Sequence, residues 1–525
     1  MPTLLPSGLQ RASLSGAVLL ALLCGSAPTA YAQSRGSTPD AAAKKAQAER
    51  SPYGRYLPVD TAITTEQSST IRGKRVPYHA TVGTQPVFDD DGHPIASLFY
   101  VYYERSDVSE QEQANRPLII SFNGGPGTGS LWMHLGYTGP KRLKVSDEGF
   151  PIQPYGVEDN EYSLLDVADI VYLNPVNTAF SRALPGVDTK QFFGVNEDIA
   201  YLSDWISDFV SRQGRWESPK FLIGESYGTT RAAGLAGALQ NRHWMYVNGV
   251  ILVSPTELGV ERDGPVGDAL DLPYMTAAAW YHRALPADLQ GRDLAQILPE
   301  VEEFTIAQYI PALSRGRSID DESRRQIASQ VARYTGLSVQ EVMDHNLVVP
   351  TSFFWKAVLR DRGQTIGRLD SRYLGIDRQD AGARPDYSPE LTSWEHSFAP
   401  AINYYLRDVL GFDTDLEYYV FGPVYPWNRD GNRTAEQLRL AMSENPSLHL
   451  LVQSGYFDGG TPYFPAKYTL WQMDPGGKLG DRIQWEGYRS GHMIYMRKDD
   501  LGRASARLRE FIDTAMADAA RPSKY

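Results

Sequence analysis

The chain has 525 residues, of which 42% are hydrophobic and 22% are charged, proportions typical of a globular protein and unlike those of a disordered or fibrous one. It carries 51 Lys and Arg against 63 Asp and Glu, a net charge of −12. This negative surplus argues against a nucleic-acid-binding protein and gives no polybasic anchor for an anionic membrane. The only cysteine is Cys24, which excludes an intramolecular disulfide, a four-cysteine zinc site and a paired-cysteine redox site.

Residues 1–32 have the pattern of a secretory signal peptide. An apolar run over residues 14–24 follows Arg11 and is too short to span a bilayer. Ala30-Tyr31-Ala32 then supplies the small-x-small pattern of a cleavage site. We therefore expect a bacterial-type exported protein, periplasmic or secreted, without membrane contact after cleavage. Residues 33–70 are predicted to be a flexible N-terminal linker.

The folded part of the chain is predicted to begin near residue 71. Two segments, 76–82 and 98–104, predict strands joined by a turn at 89–92. Short apolar runs that predict buried strands follow at 117–122, 168–173, 220–223 and 249–253. An amphipathic segment over residues 196–212 predicts a helix, with Asn196 as its N-cap. Alternating strands and helices predict a mostly parallel sheet with helices on both faces.

This pattern is interrupted by a long segment of mainly helical character, which also contains irregular connections such as residues 375–389. Strand and helix patterns then resume at residues 449–452, 482–485 and 503–516. We therefore predict one α/β domain whose core is formed by residues 71–255 and 441–525. Residues 256–440 are predicted to be a large helical cap insertion within that domain.

A candidate nucleophile lies in the motif Gly224-Glu225-Ser226-Tyr227-Gly228, which has the form G-x-S-x-G. It follows the strand pattern at 220–223 and precedes a helix pattern over 229–240, which is the context that this motif requires. So tight a turn needs small flanking residues, and it exposes the serine oxygen at the carboxyl end of the sheet, where ligands bind. We predict that Ser226 is a nucleophile.

A serine nucleophile needs a base and an orienting acid, which in α/β-hydrolases follow it in the order acid, then histidine. Of the nine histidines, His492 lies directly after the final strand pattern and before the last helix pattern. Asp458 is the only acid in the loop at residues 455–460, which follows the preceding strand pattern. The sequence therefore predicts a triad of Ser226, Asp458 and His492.

An oxyanion hole needs rigid backbone N–H groups beside the nucleophile. One is predicted to be the N–H of Tyr227, the residue after Ser226. The second is expected from the glycine-rich loop at residues 123–127, which follows an early strand and allows close backbone approach. A phosphate-binding loop is the competing interpretation, but neither nucleotide-binding glycine motif is present there.

Three segments together resemble the serine carboxypeptidase family, peptidase family S10: Asn123-Gly-Gly-Pro-Gly127, Gly224-Glu-Ser-Tyr227 and Gly491-His-Met493. Residues 175–181 resemble a further motif of that family, although Asn177 and Ala179 stand where it has glycines. The resemblance extends from about residue 95 to 515. It implies an α/β-hydrolase fold in which the helical insertion is the cap.

The resemblance also implies a serine-type carboxypeptidase, which hydrolyses the C-terminal peptide bonds of peptides or proteins through an acyl-enzyme on Ser226. The site residues that it implies are Ser226, Asp458 and His492 for the triad, Gly125 and Tyr227 for the oxyanion hole, and Asn123, Glu225 and Met493 for substrate binding. Asn123 and Glu225 would bind the terminal carboxylate, and Met493 would form a wall of the leaving-residue pocket. No metal motif is present, and no cofactor is expected.

Glu225 predicts a dependence on pH. An ionised Glu225 would repel an anionic C-terminus, whereas a protonated one can donate a hydrogen bond to it, so peptidase activity would be favoured in acid. The alternative is that Glu225 pairs with a neighbouring cation. The chain has Ser121 where the family usually has tryptophan, and Tyr137 where it usually has an acid. Both departures weaken the predicted carboxylate-binding network.

Two other functions fit parts of the same pattern. An esterase or acyltransferase would use the same acyl-enzyme with another acceptor. A binding protein would keep the cleft without catalysis, but the ordered agreement of Ser226, Asp458 and His492 argues against it.

Overall fold

The computed structural model describes residues 59–522. The predicted signal peptide and residues 33–58 of the predicted linker lie outside these residues. The strands are β1 Thr61–Ile71, β2 Lys74–Phe88, β3 Pro94–Arg105, β4 Leu118–Phe122, β5 Lys141–Leu143, β6 Val157–Asp159, β7 Asp169–Leu173, β8 Arg182–Ala183, β9 Lys220–Glu225, β10 Gly249–Val253, β11 Thr365–Ile366, β12 Leu374–Gly375, β13 His449–Gly455 and β14 Ile483–Tyr488.

The α-helices are distributed over the core and the insertion. They are α1 Glu110–Asn115, α2 Val195–Arg212, α3 Tyr227–His243, α4 Pro265–Leu270, α5 Leu272–Tyr281, α6 Ala287–Gln290, α7 Leu294–Phe304, α8 Ile310–Arg315, α9 Asp321–Thr335, α10 Val339–Asp344, α11 Thr351–Ala357, α12 Pro389–Tyr404, α13 Thr434–Glu444, α14 Tyr463–Met473 and α15 Lys498–Ala519. Short π-helical segments are Met133–Thr138, Thr305–Tyr309 and Tyr405–Val409, and 3₁₀ turns are Thr189–Phe192, Gly316–Ser318, Arg360–Arg362 and Gly480–Arg482.

Ten of the described strands form one mixed sheet in the order β1-β2-β3-β7-β4-β9-β10-β13-β14, with β8 paired to β3. The first three strands form an antiparallel meander, and β3 pairs antiparallel with β7. From β7 to β14 all neighbours are parallel. This is an α/β-hydrolase fold with a mostly parallel central sheet, and the predicted fold class is confirmed.

Side chains of the central strands alternate between the two faces of the sheet, as the pleat requires. Phe221 and Ile223 of β9 pack in one hydrophobic cluster with α15 and α12, whereas Leu222 packs in a second cluster with α2, α3 and α13. Helices therefore cover both faces, and the carboxyl ends of the parallel strands meet along one edge.

Two local predictions differ from the structure. Residues 61–70, predicted as linker, belong to β1, which pairs with β2 along its whole length. The run TAITTEQSSTI has little apolar alternation because this edge strand is largely exposed. Helix α2 begins one residue earlier than predicted, and its N-cap is Gly194, so Asn196 is not the cap.

The predicted end of the insertion at residue 440 falls inside α13. This helix packs against α3 of the core: Gly237 lies opposite Gln437, and Leu438 and Met442 are buried in the cluster beneath the sheet. Helix α13 therefore packs with the core, and the extent of the cap insertion stays a prediction. Within residues 59–522, no helix is long and apolar enough to cross a membrane.

Candidate active site

Ser226 lies at a sharp turn between β9 and α3. Its backbone has φ 58° and ψ −128°, a conformation that an L-residue adopts only under strain. A Cβ at Gly224 would lie 2.0 Å from the carbonyl oxygen of Gly228, and a Cβ at Gly228 would lie 2.9 Å from the carbonyl oxygen of Asn123, so both positions favour glycine. The motif therefore forms the strained strand–turn–helix arrangement that presents a serine hydroxyl at the carboxyl edge of a sheet.

The side chains of His492 and Asp458 form a direct hydrogen bond. The two atoms His492 Nδ1 and Asp458 Oδ2 are 2.6 Å apart, and both side chains are buried. Burial lowers the pKa of His492, but the Asp458 carboxylate outweighs it and holds that pKa above its usual value. Burial alone would raise the pKa of Asp458, yet the charge of His492 and the hydrogen bonds to the carboxylate lower it. Asp458 thus stays ionised and leaves Nε2 of His492 available as a base.

Backbone contacts bring the predicted base to the same sheet edge as the predicted nucleophile. The N–H of Ser226 donates to the carbonyl of Val253 at 3.0 Å. The next residue, Ser254, donates its hydroxyl to the carbonyl of His492 at 2.7 Å. Thr461, which the sequence analysis missed, places its hydroxyl 2.8 Å from Asp458 Oδ2 and 2.9 Å from the carbonyl of Ser254. The loops after β9, β10, β13 and β14 are therefore connected around the triad residues.

The glycine-rich loop lies against the start of α3. Gly125 has φ 102°, and a Cβ at Gly124 would lie 2.4 Å from the backbone nitrogen of Tyr227. The two predicted oxyanion donors, Gly125 and Tyr227, therefore come from chain segments in close contact. Only glycine allows this approach at both loop positions.

Arg231, on α3, braces this loop. Its guanidinium donates to the carbonyl oxygens of Asn123 and Pro126 at 2.8 and 2.6 Å, and its Nε pairs with Asp198 of α2 at 2.6 Å. Arg231 and Asp198 are 1% and 0% exposed. The sequence contained a signal for this role, since Arg231 is the one charged residue in an otherwise small and apolar stretch of α3.

Glu225 is buried beside Ser226 and has no ion-pair partner among the described residues. Its Oε1 accepts from Asn123 Nδ2 at 3.2 Å, and its Oε2 accepts from the hydroxyl of Tyr495. Burial raises the pKa of Glu225 to about 7, although the positive charge of His492 and the Tyr495 hydrogen bond act to lower it. The alternative that Glu225 pairs with a neighbouring cation is therefore excluded within residues 59–522.

Among the described residues, neither of the two that depart from the family pattern forms a hydrogen bond with Glu225. Tyr137 stacks on Tyr495, with ring centroids 4.9 Å apart, and donates its hydroxyl to Gln453 at 2.7 Å. Ser121 is buried within β4, and its hydroxyl has no hydrogen-bond partner among the described residues. Tyr495 therefore stands as the hydroxyl partner of Glu225, and no local pattern in the sequence marks it.

Met493 is 2% exposed and packs in the hydrophobic cluster that also contains Tyr495 and Tyr137. Its predicted role as a wall of the leaving-residue pocket stays a prediction. Within the described part of the chain, no group of three or more His, Cys, Asp or Glu side chains could hold a metal ion.

A segment of the cap, residues 368–371, bridges the loops that carry Asp458 and His492; we call it the strap. The carbonyl of Arg368 accepts from the N–H of Gly459 at 2.8 Å, and the carbonyl of Leu369 accepts from the N–H of His492 at 2.6 Å. The N–H and hydroxyl of Ser371 both donate to the carbonyl of Phe457 at 2.9 Å. The cap thus fixes the backbone on either side of the acid and at the base.

Glu390 of α12 anchors the strap, because its Oε1 accepts from the N–H of Leu369 at 2.9 Å. Burial raises the pKa of Glu390 to about 7, and the Leu369 hydrogen bond only partly opposes this. The folded protein therefore holds this proton more tightly than the unfolded chain, whose glutamate pKa is about 4.3. This contribution to stability is present below pH 4.3 and is lost as pH rises through about 7.

Glu390→Gln is accordingly expected to flatten the decline of stability between pH 5 and 7.5. Urea unfolding at both pH values measures the free energy of unfolding for wild type and variant. The exposed Glu303→Gln on α7 is the matched control and should keep the wild-type decline. If the free energy of unfolding declined equally in Glu390→Gln and wild type, Glu390 would not hold a proton that stabilises the folded protein.

Residues 89–253 match the family model described as serine carboxypeptidase. The matched segment contains Asn123, Gly125, Glu225, Ser226 and Tyr227 and ends before Asp458 and His492. Relatives of similar sequence carry the same description. Serine carboxypeptidase-like 19 and 8 of Arabidopsis thaliana are 31% and 29% identical over 136 and 174 residues, which are 25% and 33% of this chain. Serine carboxypeptidase S10 family member 1 of Dictyostelium discoideum is 29% identical over 135 residues, 25% of this chain.

The aligned regions cover only 27%, 37% and 29% of those three relatives. Among solved structures, a prohormone-processing carboxypeptidase of Saccharomyces cerevisiae superposes with a TM-score of 0.49 at 14% identity, covering 83% of this chain and 91% of that one. An esterase of Thermogutta terrifontis gives a TM-score of 0.32 at 13% identity, covering 83% of this chain and 98% of that one.

Proposed function

We propose that this protein is a serine hydrolase of the serine carboxypeptidase type, bacterial in character, that removes C-terminal residues from peptides or proteins. The observation that carries the proposal is the buried Glu225, held by Asn123 and Tyr495 directly beside Ser226. A triad alone supports any acyl transfer, whereas a neutral acid next to the nucleophile fits a substrate that ends in a carboxylate. The similarity of residues 89–253 to the serine carboxypeptidase family supports the same conclusion.

The proposed reaction begins with His492 Nε2, which takes the proton of the Ser226 hydroxyl as the serine oxygen attacks the scissile carbonyl carbon. The backbone N–H groups of Gly125 and Tyr227 stabilise the oxyanion that forms. The C–N bond then breaks, and His492 returns the proton to the leaving amine. Water, activated by the same histidine, hydrolyses the acyl-enzyme on Ser226 and releases the shortened peptide.

The terminal carboxylate of the peptide is proposed to bind at Asn123 and Glu225. In mild acid Glu225 is protonated, so it places no negative charge beside the substrate and can donate a hydrogen bond. Above pH 7 it ionises and repels the carboxylate. His492 must be neutral to act as a base, and its raised pKa demands a higher pH. The two requirements oppose each other and leave a narrow range of pH for peptide cleavage.

The pH dependence of kcat/KM tests this proposal with three substrates: a blocked dipeptide, its C-terminal amide and its ester. For the free acid, kcat/KM should fall as pH rises through about 7, where Glu225 ionises. For the amide and the ester, it should rise with deprotonation of His492 and then level off. Glu225→Gln keeps a donor at every pH and should remove the alkaline fall for the free acid.

Tyr495→Phe provides a second variant of the same test. It removes a hydroxyl that favours the ionised form of Glu225, so the alkaline fall should move to higher pH. Glu303→Gln, remote and exposed, controls for the loss of one carboxylate. Equal pH profiles for the acid and the amide in wild type would refute carboxylate recognition and favour the esterase or acyltransferase that the sequence analysis left open.

We also propose that the chain is exported after removal of residues 1–32. The support is the apolar run that ends at Cys24 and the Ala30-Tyr31-Ala32 pattern behind it. N-terminal sequencing of the mature protein tests this proposal.

A further inference from the structure

A pocket of about 360 Å³ lies beside the triad, between the cap and the loop that follows Asp458. Helices α4 and α11 form its cap side, and the start of α14 with residues 459–462 forms its core side. Trp355 of α11 supplies an aromatic wall. The pocket therefore has the size of a side-chain site and adjoins the catalytic loops.

Two lining residues connect the pocket to the reacting groups. Thr461 contacts Asp458 and lies 3.2 Å from His492 Nδ1. Thr256 bonds to Thr230, in the first turn of the helix that follows Ser226, at 2.7 Å. None of the residues proposed to bind the terminal carboxylate lines the pocket. The pocket is therefore separate from the proposed carboxylate site.

Four charged residues line the pocket, and three of them have partners. Glu257 lies 3.7 Å from both Arg262 and Arg429. Arg262 also faces Asp271, whose pKa burial raises to about 6 against the effect of that arginine. The negative charges of Glu257 and Asp271 are therefore compensated by arginines within or beside the pocket.

Arg368 of the strap is the exception. Its carbonyl accepts from Gly459, but within residues 59–522 its guanidinium has no hydrogen-bond or ion-pair partner. Arg368 influences His492 and Glu390 electrostatically. Glu390 Oε1 accepts from the N–H of Leu369, whereas its Oε2 has no hydrogen-bond partner among the described residues. A half-buried arginine without an acceptor, at the edge of a pocket, is placed to bind an anion.

Building on the proposed function, we propose that this pocket binds the side chain of the substrate residue that becomes the acyl group, the penultimate residue of a peptide, and that Arg368 pairs with its carboxylate. The protein then prefers an acidic residue at that position. The preferred substrates are peptides with glutamate or aspartate before the last residue.

The matched substrates are the α-ethyl esters of N-blocked glutamate and N-blocked glutamine, which differ by charge at nearly constant shape. Because an ester has no terminal carboxylate, the pocket is tested even where carboxylate recognition at Glu225 fails. At pH 6 the glutamate side chain is ionised, and wild type should favour it over glutamine by about tenfold or more in kcat/KM.

Arg368→Gln should reduce the ratio of kcat/KM for the glutamate ester to that for the glutamine ester to about one. Arg368→Glu should reverse this preference. It should also raise kcat/KM for the N-blocked lysine ester relative to the glutamine ester. Arg378→Gln makes the same change in net charge on the exposed surface of the cap and should keep the wild-type ratio. A wild-type ratio near one, or a ratio that Arg368→Gln leaves unchanged, would overturn the proposal. Failure of the proposed peptidase is separate, since it appears as cleavage of esters without cleavage of peptides.

Discussion

Ser226→Ala is expected to lower kcat by a factor on the order of thousands or more while leaving the free energy of unfolding nearly unchanged. In the proposed mechanism the serine oxygen forms the acyl-enzyme, and without it the remaining site could only stabilise an oxyanion around attacking water. His492→Ala should cost a similar factor because it removes the group proposed to accept the proton of Ser226. Steady-state turnover of an activated ester measures each loss, and urea unfolding checks the fold.

Asp458→Asn tests the role of the carboxylate charge in the proposed triad without removing the side chain. It preserves the shape of the side chain and the hydrogen bonds from Gly460 and Thr461, but it removes the charge that sets the tautomer of His492 and raises its pKa. Turnover should fall by about 10⁴, and the pKa seen in the residual pH profile should move down. Near-normal turnover in Asp458→Asn would mean that another acid orients the histidine.

Arg231→Met is expected to have the second-largest effect, on both stability and kcat. It leaves Asp198 buried without its cation, which costs about 3–5 kcal/mol in the free energy of unfolding. It also frees the carbonyls of Asn123 and Pro126, so the loop that carries Gly125 loses its brace. Loss of one oxyanion donor costs about 10²–10³ in kcat, and partial misplacement should approach the lower end of that range with little change in KM.

Two further variants distinguish the role of Arg231 in positioning the loop from the effect of its buried charge on stability. Arg231→Met combined with Asp198→Asn removes both charges and should recover much of the stability, while kcat stays low because the loop remains unbraced. Arg242→Met, on the same helix, breaks an exposed pair with Asp204 whose side chains are 49% and 44% exposed, and should cost no more than about 1 kcal/mol. Recovery of kcat together with stability in the double variant would contradict the positioning role.

The fold could be predicted from the sequence, and the triad could be proposed from it, because their signals are local and ordered. The G-x-S-x-G motif marks a turn that few other structures require. Asp458 lies in the loop after β13, and His492 lies in the loop after β14. Because the carboxyl ends of parallel strands lie at one edge of a sheet, residues that follow these strands are expected to lie close together there. The structure confirms the strands and the sheet on which this argument depends.

The missed features depend on contacts between distant segments. The strap contacts His492 through a backbone hydrogen bond, from the N–H of His492 to the carbonyl of Leu369. A backbone contact leaves no signal in the side chains of residues 368–371. Tyr495 is the hydroxyl partner of Glu225, and it lies far along the chain from Glu225, so no local pattern marks the contact. Residues 61–70 were assigned to a linker because an exposed edge strand lacks the apolar alternation that marks a half-buried one.

We propose that the protein removes residues from peptide C-termini by means of Ser226. Mass spectrometry of a defined peptide incubated with the enzyme at pH 6 measures this cleavage, with the same peptide bearing a C-terminal amide and with Ser226→Ala as controls. The expected result is a ladder of products shortened one residue at a time from the C-terminus, at least about tenfold slower for the amide, and no ladder with Ser226→Ala. Internal fragments, or equal shortening of the acid and the amide, would refute cleavage at a recognised C-terminal carboxylate.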